Sequence, residues 1–132
     1  MGTVRTYVAL DQGAESGRAV AGHFDGDRLE LEVIRRFPNG PVTVLGSLYW
    51  DVLHLWREIK EGLGQCAREF DSISSVGVDA WAQDFGLVGA DDVLLGNPYS
   101  YRDARTEGMI EEVFRAVTAD EVYRTTSNPL VY

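Results

Sequence analysis

The segment that decides the fold is residues 7–20, Tyr7-Val8-Ala9-Leu10-Asp11-Gln12-Gly13-Ala14-Glu15-Ser16-Gly17-Arg18-Ala19-Val20. An apolar run ends at an acidic residue, turns through small residues and returns as a second apolar run, which predicts a β-hairpin. Asp11 then lies at the end of a buried strand, where a carboxylate can hold a divalent cation directly or through water. Gly13 and Gly17 let a phosphate approach backbone N–H groups, and Ser16 adds a hydroxyl donor. The hairpin is therefore a candidate site for the phosphates of a nucleotide.

The hairpin matches neither of the two common phosphate-binding motifs. It lacks the Gly-Lys-Ser/Thr ending of a Walker A loop, and the residues after Gly17 read as a strand where the Rossmann fingerprint requires a helix. An ordinary glycine-containing hairpin with no ligand remains an alternative on spacing alone.

Composition bounds the class of protein. The 132 residues are 45% hydrophobic and 11% aromatic, which predicts one modest globular domain and excludes a disordered tail. Twelve basic and 21 acidic residues give a formal charge of −9. Since Arg35-Arg36 is the only adjacent basic pair, we expect neither nucleic acid nor an anionic membrane as a partner.

The cysteine and the two histidines give no sequence indication of a nucleophile or a metal site. Cys66 is the only cysteine and falls on the apolar face of a predicted helix, which favours a small core residue over a nucleophile. His23 lacks partners at metal-ligand spacing, and His54 is predicted on a helix surface. With no apolar segment long enough for a signal peptide or a membrane span, we expect a cytoplasmic protein.

The remaining pattern predicts a mixed α/β protein. Residues 29–34 alternate as a third antiparallel strand after a turn at 25–27, and 73–81 read as a buried strand that follows a helix, as in a parallel pair. Residues 85–89 and 93–95 read as a second hairpin. An amphipathic helix starts at the N-cap Asp51, and its predicted apolar face comprises Val52, Leu55, Trp56, Ile59, Leu63, Cys66, Ala67 and Phe70.

The end of the chain is predicted to be helical from Asp103. A shorter helix that follows is predicted to be capped by Thr118 or Asp120. The apolar residues predicted on one face of the first helix are Met109, Ile110, Val113, Phe114 and Val117. Three antiparallel strands, a helix and a parallel strand, with carboxylates ending the first and fourth strands, describe a ribonuclease H-like layer of the actin/hexokinase type.

Three motifs resemble those of the FGGY carbohydrate kinases, and the rhamnulokinases among them. They are residues 11–18 (Asp-Gln-Gly-Ala-Glu-Ser-Gly-Arg), 78–87 (Val-Asp-Ala-Trp-Ala-Gln-Asp-Phe-Gly-Leu) and 97–106 (Asn-Pro-Tyr-Ser-Tyr-Arg-Asp-Ala-Arg-Thr). Their order and spacing match, so the resemblance does not depend on one motif. It implies phosphoryl transfer from ATP to a hydroxyl of a ketose, with Mg²⁺ as helper ion and L-rhamnulose as the best candidate substrate.

The resemblance also implies site residues. Asp11 lies near the metal, and the hairpin lines the nucleotide while the stretch after the fourth strand faces the sugar. The implied nucleotide residues are Gly13, Ala14, Glu15, Ser16, Gly17 and Arg18; the implied sugar residues are Trp81, Ala82, Asp84 and Arg102.

Structural roles remain alternatives for several of these residues. Trp81 can be core packing and Asp84 a turn cap, although the Asp84 carboxylate can also accept hydrogen bonds from sugar hydroxyls. Asp103 is expected to cap a helix, leaving Arg102 to reach the cleft. Ala82 stands where rhamnulokinases have a glycine, and its extra methyl group can shrink the pocket or favour another ketose.

The resemblance implies an incomplete kinase. The catalytic aspartate of this family is expected beyond Tyr132, and the adenine pocket belongs mainly to a second lobe. We therefore expect residues 1–132 to be an N-terminal FGGY kinase domain that is truncated and forms only part of its lobe. The remainder of the kinase chain is then its expected partner. Because half a cleft supplies neither positioning nor charge stabilisation fully, the chain alone is expected to be inactive. Its uncovered apolar surface is expected to promote self-association.

Two other classes remain open. A nuclease of the same layer type would use Asp11 and Asp79 to hold paired metal ions, but the acidic charge and the lack of a basic stripe oppose it. A non-catalytic sugar- or nucleotide-binding module would bind a ketose or ATP without releasing ADP.

Overall fold

The computed structural model describes residues 3–128. Its elements, in chain order, are β1 (Arg5–Gln12), β2 (Ser16–Phe24), β3 (Leu29–Pro38), β4 (Val42–Val44), β5 (Ser47–Tyr49), α1 (Val52–Glu69), β6 (Ser75–Ala80), a 3₁₀ turn (Ala104–Thr106), α2 (Met109–Ala116) and α3 (Ala119–Thr126). The main sheet has the order β3-β2-β1-β6, and β4 pairs with β5 in a second, two-stranded sheet. The predicted mixed α/β layer is confirmed.

Strand β1 is the centre of the fold because it pairs on both sides. It runs antiparallel to β2 with Asp11 opposite Arg18, and parallel to β6 with Asp11 opposite Asp79. Its side chains alternate between two faces of the sheet, and Val8 and Leu10 are buried on the face that packs against α1. The strand itself was predicted from the apolar run that ends at Asp11.

Helix α1 begins at the predicted cap, since the Asp51 carboxylate accepts a hydrogen bond from the backbone N–H of His54 at 3.0 Å. Cys66 is fully buried in the core beside the sheet, as predicted, and burial raises the pKa of its thiol. The predicted apolar face was too wide. Trp56 is 56% exposed and Ala67 is exposed, because the sheet covers only the narrower stripe around Ile59, Leu63 and Cys66.

Two glycines of α1 offer a matched test of this packing. A Cβ added at Gly62 would lie 2.9 Å from the Cβ of Ala19 in the sheet, whereas one at Gly64 would meet only the flexible end of Arg68 at 3.4 Å. Gly64→Ala is expected to raise the free energy of unfolding by about 0.5–1 kcal/mol through helix propensity. Gly62→Ala is expected to lower it by about 1–2 kcal/mol, because overpacking outweighs the same gain.

Urea denaturation followed by circular dichroism measures both changes. Equal stabilisation by the two alanines would contradict the close approach of α1 to β2.

The prediction that residues 73–81 form a buried strand is wrong in part. Strand β6 is present and parallel to β1, but all of its residues are exposed, with Val76 at 49% and Val78 at 67%. It is an edge strand, and no element among residues 3–128 covers it. The meander formed by β1, β2 and β3 is also uncovered on the face that points away from α1, since Leu31 and Val33 are 70% and 56% exposed.

The second predicted hairpin is present as a turn without strands. Its two arms join through one isolated bridge between Val88 and Leu94, and Leu95 N–H donates to the Leu87 carbonyl at 2.9 Å. The sequence did not predict the β4–β5 hairpin, whose turn places both Leu45 and Gly46 at positive φ.

The predicted helical end is confirmed in part, since a 3₁₀ turn follows Asp103 and Gly108, at φ 76°, separates it from α2. Asp103 caps the 3₁₀ turn, and the Thr118 hydroxyl caps α3 by accepting from the N–H of Glu121 at 3.2 Å. Residues 129–132 lie outside the described residues. No helix within residues 3–128 is both long and apolar enough to cross a membrane.

Candidate nucleotide and sugar site

The carboxyl ends of β1 and β6 place two carboxylates side by side. Asp11 and Asp79 are register partners on these parallel strands. On its other side Asp11 is paired with Arg18, whose Nε donates to Asp11 Oδ2 at 3.0 Å and whose Nη2 contacts the same oxygen. Two anionic groups and one cation therefore share this end of the sheet.

The loop between β1 and β2 is held in a fixed shape. Gly13 N–H donates to the Ser16 carbonyl at 3.1 Å, and a Cβ at Gly13 would lie 2.6 Å from that oxygen, so only glycine fits. The guanidinium of Arg36 donates to the Ser16 hydroxyl at 3.3 Å. These contacts bring the predicted nucleotide residues together as one rigid turn.

Asn39 hydrogen-bonds to this loop, and the sequence analysis did not predict this role. Its side-chain amide donates to the Gly13 carbonyl at 2.8 Å, and its backbone N–H donates to the Glu15 carbonyl at 3.0 Å. The sequence marked residues 37–41 only as a break in periodicity. An asparagine in such a break is a signal for side-chain hydrogen bonding to a nearby loop, but not for which loop.

Of the four predicted sugar residues, only Asp84 lines a cavity of about 500 Å³. Asp84 lines this cavity together with Asn97, Tyr99 and Arg105. The Arg105 guanidinium lies 4.2 Å from the centre of the Tyr99 ring. Trp81 instead lines a smaller cavity of about 200 Å³ that also borders Asp84. Ala82 and Arg102 line neither cavity and are exposed.

Asp103 hydrogen-bonds to Arg105, one of the residues that line the cavity. It is 5% exposed, and its two oxygens accept from Leu48 N–H at 2.6 Å and from Arg105 N–H at 3.0 Å. Beside it Tyr49 and Tyr99 stack with ring centres 4.4 Å apart, and the hydrogen bond to Tyr99 raises the pKa of Tyr49. The expected capping role of Asp103 is confirmed, and the carboxylate also ties β5 to the predicted sugar segment.

One ion pair connects the two predicted subsites. Arg102 Nη2 lies 3.8 Å from Glu15 Oε1, so the segment after the second hairpin reaches the tip of the β1–β2 loop. Both side chains are exposed, and such a pair contributes little to stability. Its value is geometric, because it shows that the loop and the segment lie at the same end of the sheet.

Metal-binding capacity at this end is modest. Among the described residues no group of three or more His, Cys, Asp or Glu side chains can hold a metal ion. Mg²⁺ usually keeps several waters and binds through one or two carboxylates together with substrate phosphates. Asp11 and Asp79 therefore suit a magnesium ion that is also bound to phosphate. The described residues offer too few ligands to hold a metal ion without phosphate.

Solved structures define the class to which this fold corresponds. A gluconate kinase of Lactobacillus acidophilus superposes with a TM-score of 0.74 at 16% identity, covering 92% of this chain and 25% of that one. A xylulose kinase of the same organism gives a TM-score of 0.73 at 16% identity over 91% of this chain and 24% of its own. The fold is that of the sugar kinases of the actin/hexokinase-like class.

Sequence comparison then specifies the relatives. A rhamnulokinase of Bacteroides thetaiotaomicron is 44% identical over 122 residues, and one of Oceanobacillus iheyensis is 37% identical over 119. These matches cover 92% and 90% of this chain, which spans about a quarter of the length of the curated relatives it matches. No protein-family profile matches the chain. The chain is homologous to rhamnulokinases, and the resemblance noted from its motifs is confirmed.

Proposed function

We propose that this chain is part of an ATP-dependent kinase that phosphorylates a ketose, with L-rhamnulose as the substrate. The observation that carries the proposal is the meeting of Glu15 and Arg102 at 3.8 Å. Phosphoryl transfer requires the nucleotide phosphates and the acceptor hydroxyl to be adjacent and in line. The contact brings the two motifs assigned to these ligands to one end of the sheet. Identity of 37–44% to rhamnulokinases supports the choice of ketose.

The residues of the loop have distinct proposed roles. Gly13, Ala14 and Gly17 let phosphate oxygens approach the backbone, while Ser16 donates its hydroxyl. Arg18 neutralises charge at the phosphates and, when they are absent, pairs with Asp11. Glu15 pairs with Arg102, which keeps its negative charge from opposing the phosphates.

Asp11, with Asp79 beside it, is proposed to hold Mg²⁺ in the ternary complex. The ion supplies neutralisation of the phosphate charge when bound. The carboxylates of this chain orient it from the strand ends, through water or directly.

The sugar is proposed to lie beside Asp84, which borders both cavities and accepts from its hydroxyl groups. Trp81 faces the sugar from the smaller cavity, and the exposed Ala82 and Arg102, which line neither cavity, are proposed to contact the sugar from outside them. The rest of a longer chain, carrying the catalytic base and a second lobe, is the proposed partner, and the cytoplasm is the proposed compartment. On its own the chain is proposed to bind ligands without turning them over.

Calorimetric titration of the chain with MgATP and with L-rhamnulose tests the proposal. Both ligands are expected to bind, and Arg102→Ala is expected to weaken L-rhamnulose binding about tenfold, or about 1.4 kcal/mol. Arg124→Ala is the matched control, because Arg124 is exposed on α3, where it pairs with Asp120.

Absence of binding by both ligands would contradict the proposal. Tighter binding of D-xylulose or of glycerol would replace the proposed substrate. ADP release by the isolated chain would show that it is catalytically sufficient and would overturn its proposed dependence on further sequence.

A further inference from the structure

The Asp84 carboxylate joins two tryptophans. Its Oδ2 accepts a hydrogen bond from Trp50 Nε1 at 2.7 Å and another from Trp81 Nε1 at 2.5 Å. Hydrogen bonds to a charged acceptor are stronger than neutral ones, so a single oxygen fixes both indoles. We call these three residues the Trp50–Asp84–Trp81 clamp.

The clamp has one fixed and one more accessible side. Trp50 is 1% exposed, and its backbone N–H donates to the Pro98 carbonyl at 2.9 Å, which anchors it between β5 and the predicted sugar segment. Trp81 directly follows β6 and is only partly buried. The two rings lie 4.4 Å apart between centres with their planes inclined at 42°. The orientation of Trp81 therefore depends on Trp50 and Asp84.

The position of the clamp gives this dependence a functional meaning. Asp84 borders both the larger and the smaller cavity, and Trp81 precedes the exposed Ala82. Among the described residues nothing hydrogen-bonds to Asp84 Oδ1, so acceptor capacity remains for a sugar hydroxyl. An indole held beside such a carboxylate presents an apolar face on which the C–H groups of a sugar can pack.

We propose that Asp84 is a positioning residue that holds Trp81 against Trp50 and so sets the apolar wall of the ketose site. The identity of the ligand rests on the function proposed above, whereas the clamp rests on the hydrogen bonds and the ring contact alone. The proposal differs from a direct role in sugar binding, because it makes ketose affinity depend on Trp81 through Asp84.

The test combines a spectroscopic and a binding measurement on the 132-residue chain. Closely packed indoles give an exciton couplet in the far-ultraviolet circular dichroism, and Trp56→Phe removes the exposed third tryptophan without touching the pair. In this background Asp84→Asn is expected to reduce the couplet by at least half and to weaken L-rhamnulose binding at least tenfold. Asp92→Asn, a change at an exposed turn, is the matched control and is expected to alter neither quantity.

Each outcome bears on the proposal. A retained couplet with weakened sugar binding would overturn it in favour of direct contact by Asp84 only. A lost couplet with unchanged sugar binding would overturn the link between Trp81 and the ketose. If the unsubstituted chain binds no ketose, the proposed function fails, while the couplet still decides whether Asp84 positions Trp81.

A second variant protects the test against misfolding. Trp81→Phe in the same background keeps an aromatic ring but has no N–H group to donate to Asp84. It is expected to weaken L-rhamnulose binding at least tenfold with Asp84 intact. Unchanged affinity in this variant would overturn the proposal, whether or not Asp84→Asn folds.

Discussion

Gly17→Ala is expected to lower the free energy of unfolding by about 3 kcal/mol, near the upper end of overpacking costs. Gly17 is buried in β2, and a Cβ at this position would lie 2.0–2.7 Å from three atoms of the Phe37 ring. Phe37 is itself 5% exposed and rests edge-on against His54, so the ring has little room to withdraw. Chemical denaturation monitored by fluorescence measures the loss.

Gly22→Ala is the matched control for this prediction. Gly22 lies in the same strand and is also buried, but an added Cβ would approach the flexible ends of Leu29 and Leu31, at 3.3 and 3.5 Å. It is expected to cost less than about 1 kcal/mol. Adding Phe37→Leu to Gly17→Ala is expected to recover part of the stability. A similar loss of stability in Gly17→Ala and Gly22→Ala would show that the Phe37 ring does not limit the space at Gly17.

Arg35→Ala is expected to destabilise the chain by about 2–3 kcal/mol, somewhat below the cost of breaking a fully buried pair. The guanidinium donates to Glu58 Oε2 through Nε at 3.0 Å and Nη2 at 2.7 Å, joining β3 to α1. Glu58 is 8% exposed, so the substitution leaves a carboxylate buried with only Arg57, 3.8 Å away, as a cation. Thermal and urea unfolding report the change.

An exposed pair at the start of β3 is the comparison for Arg35. Arg28 and Glu30 lie 3.1 Å apart on the surface, and Arg28→Ala is expected to change stability by less than about 0.5 kcal/mol. Replacing both partners, as in Arg35→Met with Glu58→Leu, is expected to restore most of the stability lost in Arg35→Ala. If the double variant is no more stable than Arg35→Ala, the cost comes from lost packing of the arginine stem.

The sequence predicted the elements whose periodicity extends over several residues. The two apolar runs of residues 7–20, the alternation of residues 29–34 and the three- and four-residue spacing along α1 each identified an element of the correct type. The order of these elements also predicted a parallel strand after α1, and the structure shows that its partner is β1. Exposure of β6 could not be predicted, because an apolar run does not reveal whether another element covers it.

The hairpin at β4 and β5 escaped prediction for a local reason. Each strand has three residues, too few for alternation to be visible, and the turn uses Leu45 at φ 50°, where glycine or asparagine would have been a signal. At the candidate site the sequence identified the β1–β2 loop and the segment that faces it. It missed Asn39 and Trp50, because their roles depend on contacts with Gly13 and Asp84 that are distant in sequence.

The two strands that pair with β1 are synthesised at very different times. Its partner β2 follows after a short loop, but the residue that pairs with Tyr7 on the other side is Ser75. At translation rates of about 5–20 residues per second, several seconds separate the appearance of these two partners. During that interval the meander and α1 can assemble while one edge of β1 stays open. The parallel pairing can form only after β6 has been made, and the carboxylates of Asp11 and Asp79 come together only at that step.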